Sequence, residues 1–119
     1  MARAATTSDV FNAIAEPRRR QIIDLLAGGG EQDVGNLVHS LRLPQPAVSK
    51  HLGVLRRVRI VSAAKRGRRR VYRLNAKELK PVHDWVKNYE QFWSHQLSRI
   101  KARAEQKARE QSQEKGESK

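Results

Sequence analysis

Apolar residues recur every three or four positions over several stretches of the chain, which is the spacing of an amphipathic helix. The pattern predicts helices over residues 8–15, 18–27, 33–41, 44–58 and 77–109. Residues 60–75 differ, because two runs suited to strands flank the pair Gly67-Arg68. Glycine at the first central position suits a type II′ turn, so this segment is predicted to be a β-hairpin. The fold class is therefore mostly α with one β-hairpin.

The segment 44–58 has two unlike faces when it is drawn as a helix. One stripe is apolar and consists of Val48, Leu52 and Leu55. The opposite side consists of Pro46, Ser49, Lys50, Gly53 and Arg57 and contains no acid. Small, polar and basic residues in the first turns of a helix can reach base edges in the major groove of DNA. We interpret 44–58 as a recognition helix; the alternative is a core helix whose outer face is basic by chance.

The neighbouring segments fit this interpretation. Residues 33–41 predict a short helix with Asp33 as its N-cap, and the connection to the next helix is only three residues long and ends at Pro44. Two helices joined in this way form a helix-turn-helix. The hairpin at 60–75 would then be the wing of a winged helix-turn-helix.

Charge concentrates in the predicted wing. The chain has 25 Lys and Arg and 12 Asp and Glu, a formal net charge of +13. Residues 59–75 alone contain seven Lys and Arg and no Asp or Glu. A basic strand and turn favours a nucleic-acid partner, whereas an anionic membrane surface favours a basic amphipathic helix. We therefore predict double-stranded DNA as the partner and no membrane association.

Three stretches together resemble the ArsR-type family of bacterial winged-helix repressors. They are 11–20 (FNAIAEPRRR), 45–52 (QPAVSKHL) and 66–74 (RGRRRVYRL), and the resemblance covers roughly residues 8–100. It implies a homodimer that places two recognition helices in successive major grooves of a palindromic operator. The chain departs from the family pattern at Pro44, where many members have Ser, and at Arg59, where many have Gly.

The resemblance and the charge pattern give the predicted DNA-binding residues. Gln45, Pro46, Ser49 and Lys50 match the base- and phosphate-contacting positions of the family, and Gln45 and Ser49 are the predicted base readers. Further phosphate and groove contacts are predicted for Arg57, Lys65, Arg66, Arg68, Arg69 and Arg70. The predicted function is a repressor that occludes a promoter. The alternative is a nucleoid-associated or RNA-binding structural protein without operator specificity.

The long C-terminal segment carries a seam of apolar residues at near-heptad spacing. Its members are Leu79, Val82, Val86, Tyr89, Trp93, Leu97 and Ile100, and Trp85 and Phe92 widen the apolar surface. One small domain cannot easily cover such a helix, so the seam predicts a dimer interface. Phe11 and Ile14 of the first helix are predicted to join it. The alternative is that the seam packs only within its own chain.

Metal-dependent and catalytic functions find little support. The chain has no cysteine, and Asp33 and Gly35 occupy the positions at which a metal-binding branch of the family has thiolates. The second family pattern, of carboxylates and histidines on the last helix, is not reproduced by its histidines, His83 and His95. No nucleophile and base stand at recognisable spacing. We predict no cofactor, no metal site and no enzyme activity; a small-molecule inducer is not identifiable from the sequence.

The predicted organisation is a single domain over 8–104, with its dimerisation helix at 77–104, between a disordered lead at 1–7 and a polar fraying tail at 105–119. No apolar run approaches a membrane span, and residues 1–7 lack an apolar signal core, so we expect a cytoplasmic protein. Three arginines at 18–20 lie against the helix dipole. They are interpreted either as phosphate contacts or as a solvated charge run.

Overall fold

The computed structural model describes the backbone of residues 6–117 and the side chains of residues 6–112. Residues 1–5, most of the predicted lead, lie outside this range. The helices are α1 (Thr7–Ala15), α2 (Pro17–Gly29), α3 (Val34–Leu41), α4 (Gln45–Arg57), a 3-10 turn (Ala76–Leu79), α5 (Lys80–Lys87) and α6 (Glu90–Glu117). The strands are β1 (Gln32–Asp33), β2 (Val61–Arg66) and β3 (Arg69–Leu74). The chain divides into two compact units, Met1–His83 and Asp84–Lys119.

The first helix begins one residue earlier than the predicted range of 8–15. The Thr6 side chain accepts the Asp9 N–H at 3.1 Å, and the Asp9 carboxylate accepts the Thr6 N–H at 2.9 Å. This reciprocal capping box fixes the start of α1 at Thr7. The prediction of a disordered lead is therefore wrong at residues 6 and 7.

The helix-turn-helix consists of α3 and α4, as predicted. Asp33 caps α3 by accepting the Asn36 N–H at 2.8 Å. The turn between the helices starts at Arg42, whose left-handed conformation (φ 55°) ends α3. Pro44 is the N-cap of α4, and its side chain forms no capping hydrogen bond, whereas the Ser expected from the resemblance could form one. The Pro44 carbonyl accepts the N–H groups of Ala47 and Val48.

The predicted hairpin is confirmed. Strands β2 and β3 pair in antiparallel register from Val61 opposite Leu74 to Arg66 opposite Arg69, which leaves Gly67-Arg68 as a two-residue turn. Gly67 has φ 65° and Arg68 does not have a positive φ, as a type II′ turn requires. The sheet has the order β1-β3-β2. Strand β1 was not predicted, because two residues are too few to show the alternation of apolar and polar side chains that indicates a strand.

One apolar core holds the first unit together. Its buried members are Val10, Ala13, Ile22, Ile23, Leu26, Leu37, Leu41, Val48, Leu52, Leu55, Ile60, Val61 and Tyr72. Burying a large apolar side chain contributes about 1.5–3 kcal/mol. The predicted apolar stripe of α4 is entirely in this core, so the opposite face of α4 points outwards.

The passage from α4 to the wing depends on Arg59 and Asn75. Arg59 adopts a left-handed conformation (φ 66°), which glycine adopts more easily. The Asn75 side-chain amide donates to the Arg59 carbonyl at 2.9 Å, and the Asn75 N–H donates to the Ile60 carbonyl at 2.8 Å. These bonds hold the turn although the left-handed conformation is unfavourable for Arg59. They explain how the chain tolerates Arg at a position where the resemblance predicts Gly.

An Arg59→Gly variant should be more stable than the wild type. A side chain in the left-handed region costs about 1–2 kcal/mol, and the extra freedom of glycine in the unfolded chain offsets about 0.4–1 kcal/mol of this. We expect the free energy of unfolding to rise by about 0.5–1 kcal/mol in urea denaturation. Arg59→Ala removes the same charge but keeps a Cβ, so it should give no such gain. Equal effects of the two substitutions would show that backbone strain at Arg59 is negligible.

The second unit is helical but does not match the single helix predicted for 77–109. The Asn88 N–H donates to the Trp85 carbonyl at 3.2 Å, and the Tyr89 N–H donates to the Val86 carbonyl at 2.9 Å. These bonds span three residues instead of four, so α5 ends at Lys87 and α6 starts at Glu90. The continuous helix is therefore a wrong prediction at residues 88–89.

Helix α6 also extends to Glu117, which corrects the prediction of a fraying tail from residue 105. Ala108 and the many Glu, Gln, Lys and Arg residues of this segment are good helix formers. A Lys101–Glu105 ion pair at 3.9 Å and a Gln106–Glu110 hydrogen bond at 3.2 Å add support four residues apart along the helix. The segment from residue 105 is therefore helical although its composition is polar. Within the described residues, no helix has the length and apolar character needed to cross a membrane.

Candidate nucleic-acid interface

The N-terminal turns of α4 present the predicted base readers to solvent. Gln45, Pro46, Ser49 and Lys50 are all exposed, while Val48 between them is fully buried. The same burial pattern continues to the exposed Arg57 at the end of the helix. Because the buried stripe is anchored in the core, the orientation of the exposed face is fixed by packing.

Gly53 lies on the same helix and is not required by the fold. A Cβ at this position would meet no atom within 4 Å, and its φ is not in the left-handed region that favours glycine. Glycine inside a helix costs roughly 1 kcal/mol relative to alanine. A small residue without an internal packing reason is consistent with the close approach of a partner to this face.

The arginines at 18–20 do not form the free basic run that either interpretation assumed. Arg19 donates to the Ala13 carbonyl, and Arg20 donates to the carbonyls of Ile14 and Ala15 at 2.8 and 3.1 Å. These carbonyls end α1, where the helix dipole favours a cation. Sequence reasoning missed this because the acceptors lie on a different helix from the donors.

Arg19 also links α1 to the recognition helix. Its guanidinium Nη1 lies 3.5 Å from Nδ1 of His51 on α4. His51 is half-buried on the flank of the core stripe. This contact gives His51 a structural role, because it ties α4 to the start of α2.

The basic residues of the wing divide between its two faces. All five predicted cations, Lys65, Arg66, Arg68, Arg69 and Arg70, are exposed. In the ladder Lys65 lies opposite Arg70, and Arg66 lies opposite Arg69. Directly opposed residues share a face and successive residues alternate, so these two pairs project from opposite faces of the hairpin.

One of these faces carries its own counter-charges. Arg66 contacts Glu31 at 3.0 Å, and Arg69 contacts Asp33 at 2.8 Å. The Arg66 hydrogen bond lowers the pKa of Glu31, and the Asn36 N–H, followed by Arg69, lowers the pKa of Asp33. The same Glu31 contact raises the pKa of Arg66. Two predicted DNA-contacting arginines are therefore engaged within their own chain.

The other wing cations are not neutralised in this way. Lys65, Arg68 and Arg70 line an open depression together with Ala63 and Ala64. Over the side chains of residues 6–112, no acid forms an ion pair with any of these three cations. Of the five predicted wing cations, these three have uncompensated positive charge.

The predicted dimer residues fall into two groups. Leu79, Val82 and Ile14 are half-buried against the core of the first unit, and Phe11 and Val86 are half-buried as well. The remaining members lie in the second unit and are exposed: Tyr89 (44%), Trp93 (50%), Leu97 (62%) and Ile100 (62%). Trp85 and Phe92, which widen the seam, are 52% and 60% exposed. The second unit thus presents an exposed apolar surface.

The histidines and acids do not converge on a metal site in the part of the chain that the structure describes. There, no three His, Asp or Glu side chains are grouped closely enough to hold a metal ion. The prediction that the protein does without a metal stays a prediction.

A helix-turn-helix followed by a two-stranded wing defines a winged-helix protein, and the comparisons with known proteins agree with this class. Residues 16–63 match the sequence profile of the family described as bacterial regulatory protein, arsR family. The transcriptional repressor SdpR of Bacillus subtilis is 33% identical over 82 residues, which cover 69% of this chain and 90% of SdpR. This chain therefore belongs to the ArsR family of bacterial regulatory proteins, as the sequence predicted.

Solved structures are similar as well. A possible transcriptional regulator for arsenical resistance has a TM-score of 0.60 and 36% identity, covering 79% of this chain and 94% of that one. An ArsR-like transcriptional regulator from Rhodococcus sp. RHA1 has a TM-score of 0.62 and 28% identity, covering 80% and 89%. These neighbours confirm the mostly α fold with a β-hairpin. The chain is a transcriptional regulator, and its relatives are not enzymes.

Proposed function

We propose that the protein is a homodimeric repressor that reads a palindromic operator in double-stranded DNA. The observation that carries the proposal is the acid-free, exposed face of α4 in the same unit as three wing cations that no acid neutralises. DNA binding needs positive charge for the backbone and short polar groups for the bases, and this surface offers both.

The two elements have different tasks in this proposal. Gln45 and Ser49 read base edges in the major groove, where an amide can bind adenine with two hydrogen bonds. Pro46 helps to shape the helix start, and Lys50 and Arg57 contact phosphates. Lys65, Arg68 and Arg70 hold the backbone beside the groove, and such contacts position the protein without reading sequence.

The second copy is proposed to cover the apolar surface of the second unit. Among the described side chains, six large apolar ones are exposed there, including two tryptophans, which exceeds what a monomer usually leaves in water. A self-complementary surface gives a two-fold dimer, and two-fold symmetry in the protein calls for a palindrome in the DNA. Repression is supported by SdpR, a relative described as a transcriptional repressor. Such a regulator acts where the chromosome is, so the proposal includes a cytoplasmic location.

Selection from a random DNA pool tests the proposal. The full-length protein is mixed with duplexes that contain a randomised segment, and the bound DNA is recovered and sequenced. We expect a consensus with two inverted half-sites about one helical turn apart. Recovery of DNA without any consensus would favour the structural nucleic-acid protein without operator specificity.

DNA binding should not depend on a bound metal. The family's thiolate positions are Asp33 and Gly35, and Asp33 is occupied as the α3 cap and as the partner of Arg69. We expect the dissociation constant for selected DNA to be the same before and after dialysis against a chelator. A stoichiometric metal of submicromolar affinity, whose removal changes DNA binding, would contradict this expectation.

A further inference from the structure

The acids that pair with the wing lie in the segment that joins α2 to α3. Glu31 precedes β1 and Asp33 lies on it; Asp33 contacts Arg69 on the neighbouring strand β3, and Glu31 contacts Arg66 on β2, beyond β3. Arg66 and Arg69 are directly opposed in the ladder, so their like charges repel unless acids compensate them. The four residues therefore form a compensated cluster on one face of an otherwise uncompensated wing.

The backbone that carries these acids is held firmly. Gln32 lies opposite Tyr72 in the sheet, and its side-chain amide donates to the Leu25 carbonyl at 2.7 Å. A Cβ on Gly29 would come within 2.6 Å of this amide, so glycine makes room for it. Asp33 is fixed in turn by its role as the N-cap of α3. These contacts fix the backbone next to Glu31 and the side chain of Asp33.

We propose that Glu31 and Asp33 act as a latch that withholds Arg66 and Arg69 from DNA phosphates and so limits sequence-independent binding. The inference rests on the proposed function and deepens it by assigning residues that set specificity. With the latch in place, only Lys65, Arg68 and Arg70 of the five predicted wing cations are left to bind DNA. Base reading by α4 is unaffected, so the latch increases the ratio of the affinity for operator DNA to the affinity for random DNA.

The size of the effect follows from counterion release. Each phosphate contact contributes about 0.9 to the slope of log affinity against log salt concentration on duplex DNA. Two released arginines that each bind one phosphate would add about 1.8 to this slope. Over a fourfold rise in salt, from about 50 to about 200 mM, such a protein loses about 12-fold more affinity than the latched protein.

The test is a Glu31→Gln, Asp33→Asn double variant of the full chain. Both changes keep the shape of the side chain, and Asn caps a helix about as well as Asp. Binding to a random-sequence duplex is measured across a salt series. We expect tighter binding at low salt and a slope that is steeper by about 1.8, with about half of this change for Glu31→Gln alone.

An Asp24→Asn, Glu110→Gln variant is the matched control, because it removes the same charge from acids on α2 and α6 that do not pair with the wing arginines. Its slope should stay at the wild-type value. Adding Arg66→Gln and Arg69→Gln to the unlatched protein should return the slope to the wild-type value. A latch variant that behaves like the control would overturn the proposal. The random-duplex slope can be read whether or not the wild type prefers an operator, so failure of the latch is distinguishable from failure of the proposed function.

Discussion

A Trp93→Lys variant should be monomeric at micromolar concentration, where the wild type is expected to be a dimer. Trp93 lies in the middle of the exposed apolar surface and is 50% exposed in the isolated chain. An aromatic side chain buries about 150–250 Å² in an interface, and an unpaired charge in its place costs several kcal/mol to desolvate. Since about 1.4 kcal/mol is tenfold in affinity, dimerisation should weaken by roughly a thousandfold or more.

Loss of the dimer should also lower the affinity for DNA. Two linked recognition helices bind two half-sites as one event, whereas separated monomers bind each half-site alone. In Trp93→Lys, sedimentation should therefore show a monomer, and the affinity for the operator should fall with it. Ser98→Lys is the matched control, because this position lies about 140° around α6 from Trp93. An unchanged dimer in Trp93→Lys would show that the second copy does not cover this surface.

A Gln45→Ala, Ser49→Ala variant should lose the preference for its operator before it loses affinity for DNA in general. Each good base contact is worth about 1–3 kcal/mol of discrimination. We expect this loss on selected DNA and little change on a random duplex. The consensus selected by the variant should relax at the positions that these side chains read. Equal losses on the two duplexes, with no relaxed position, would show that Gln45 and Ser49 do not read bases.

An Arg68→Gln, Arg70→Gln variant should show the opposite signature. Among the side chains of residues 6–112, no acid pairs with these cations, so each is able to bind a phosphate. Binding should weaken on selected and random DNA alike, and the salt slope should fall by about 0.9 for each phosphate that the variant no longer binds. Arg69→Gln should change the slope less, since Arg69 is paired with Asp33 in the free protein. A slope that is unchanged after both substitutions would remove the wing from the DNA interface.

The parts of the fold that could be predicted from the sequence are those set by local chemistry. The apolar stripe of α4 needs only helical spacing, the α3 cap needs only Asp33, and the hairpin turn needs only Gly67. Each is decided by residues a few positions apart. The exposed positions of Gln45 and Ser49 follow from the same spacing, since the opposite stripe is buried.

The parts that could not be predicted depend on residues far apart in the chain. The partners of Arg66 and Arg69 lie on the segment before α3. The charge pattern alone does not distinguish these two arginines from Arg68 and Arg70, so all four were predicted to contact DNA. Strand β1 exists only because it pairs with β3. The break at residues 88–89 was hidden for another reason, because apolar spacing continues across it while the hydrogen bonds shorten to three-residue spans.

The central claim is that this regulator distinguishes one DNA sequence from others, and a single ratio tests it. The dissociation constant of the wild-type protein is measured on a selected duplex and on a random duplex of equal length at the same physiological salt concentration. Sequence-specific regulators bind their sites about 10³–10⁷ times more tightly than other DNA. We predict a ratio of at least about 1000; a ratio near one would contradict the claim and identify a general DNA-coating protein.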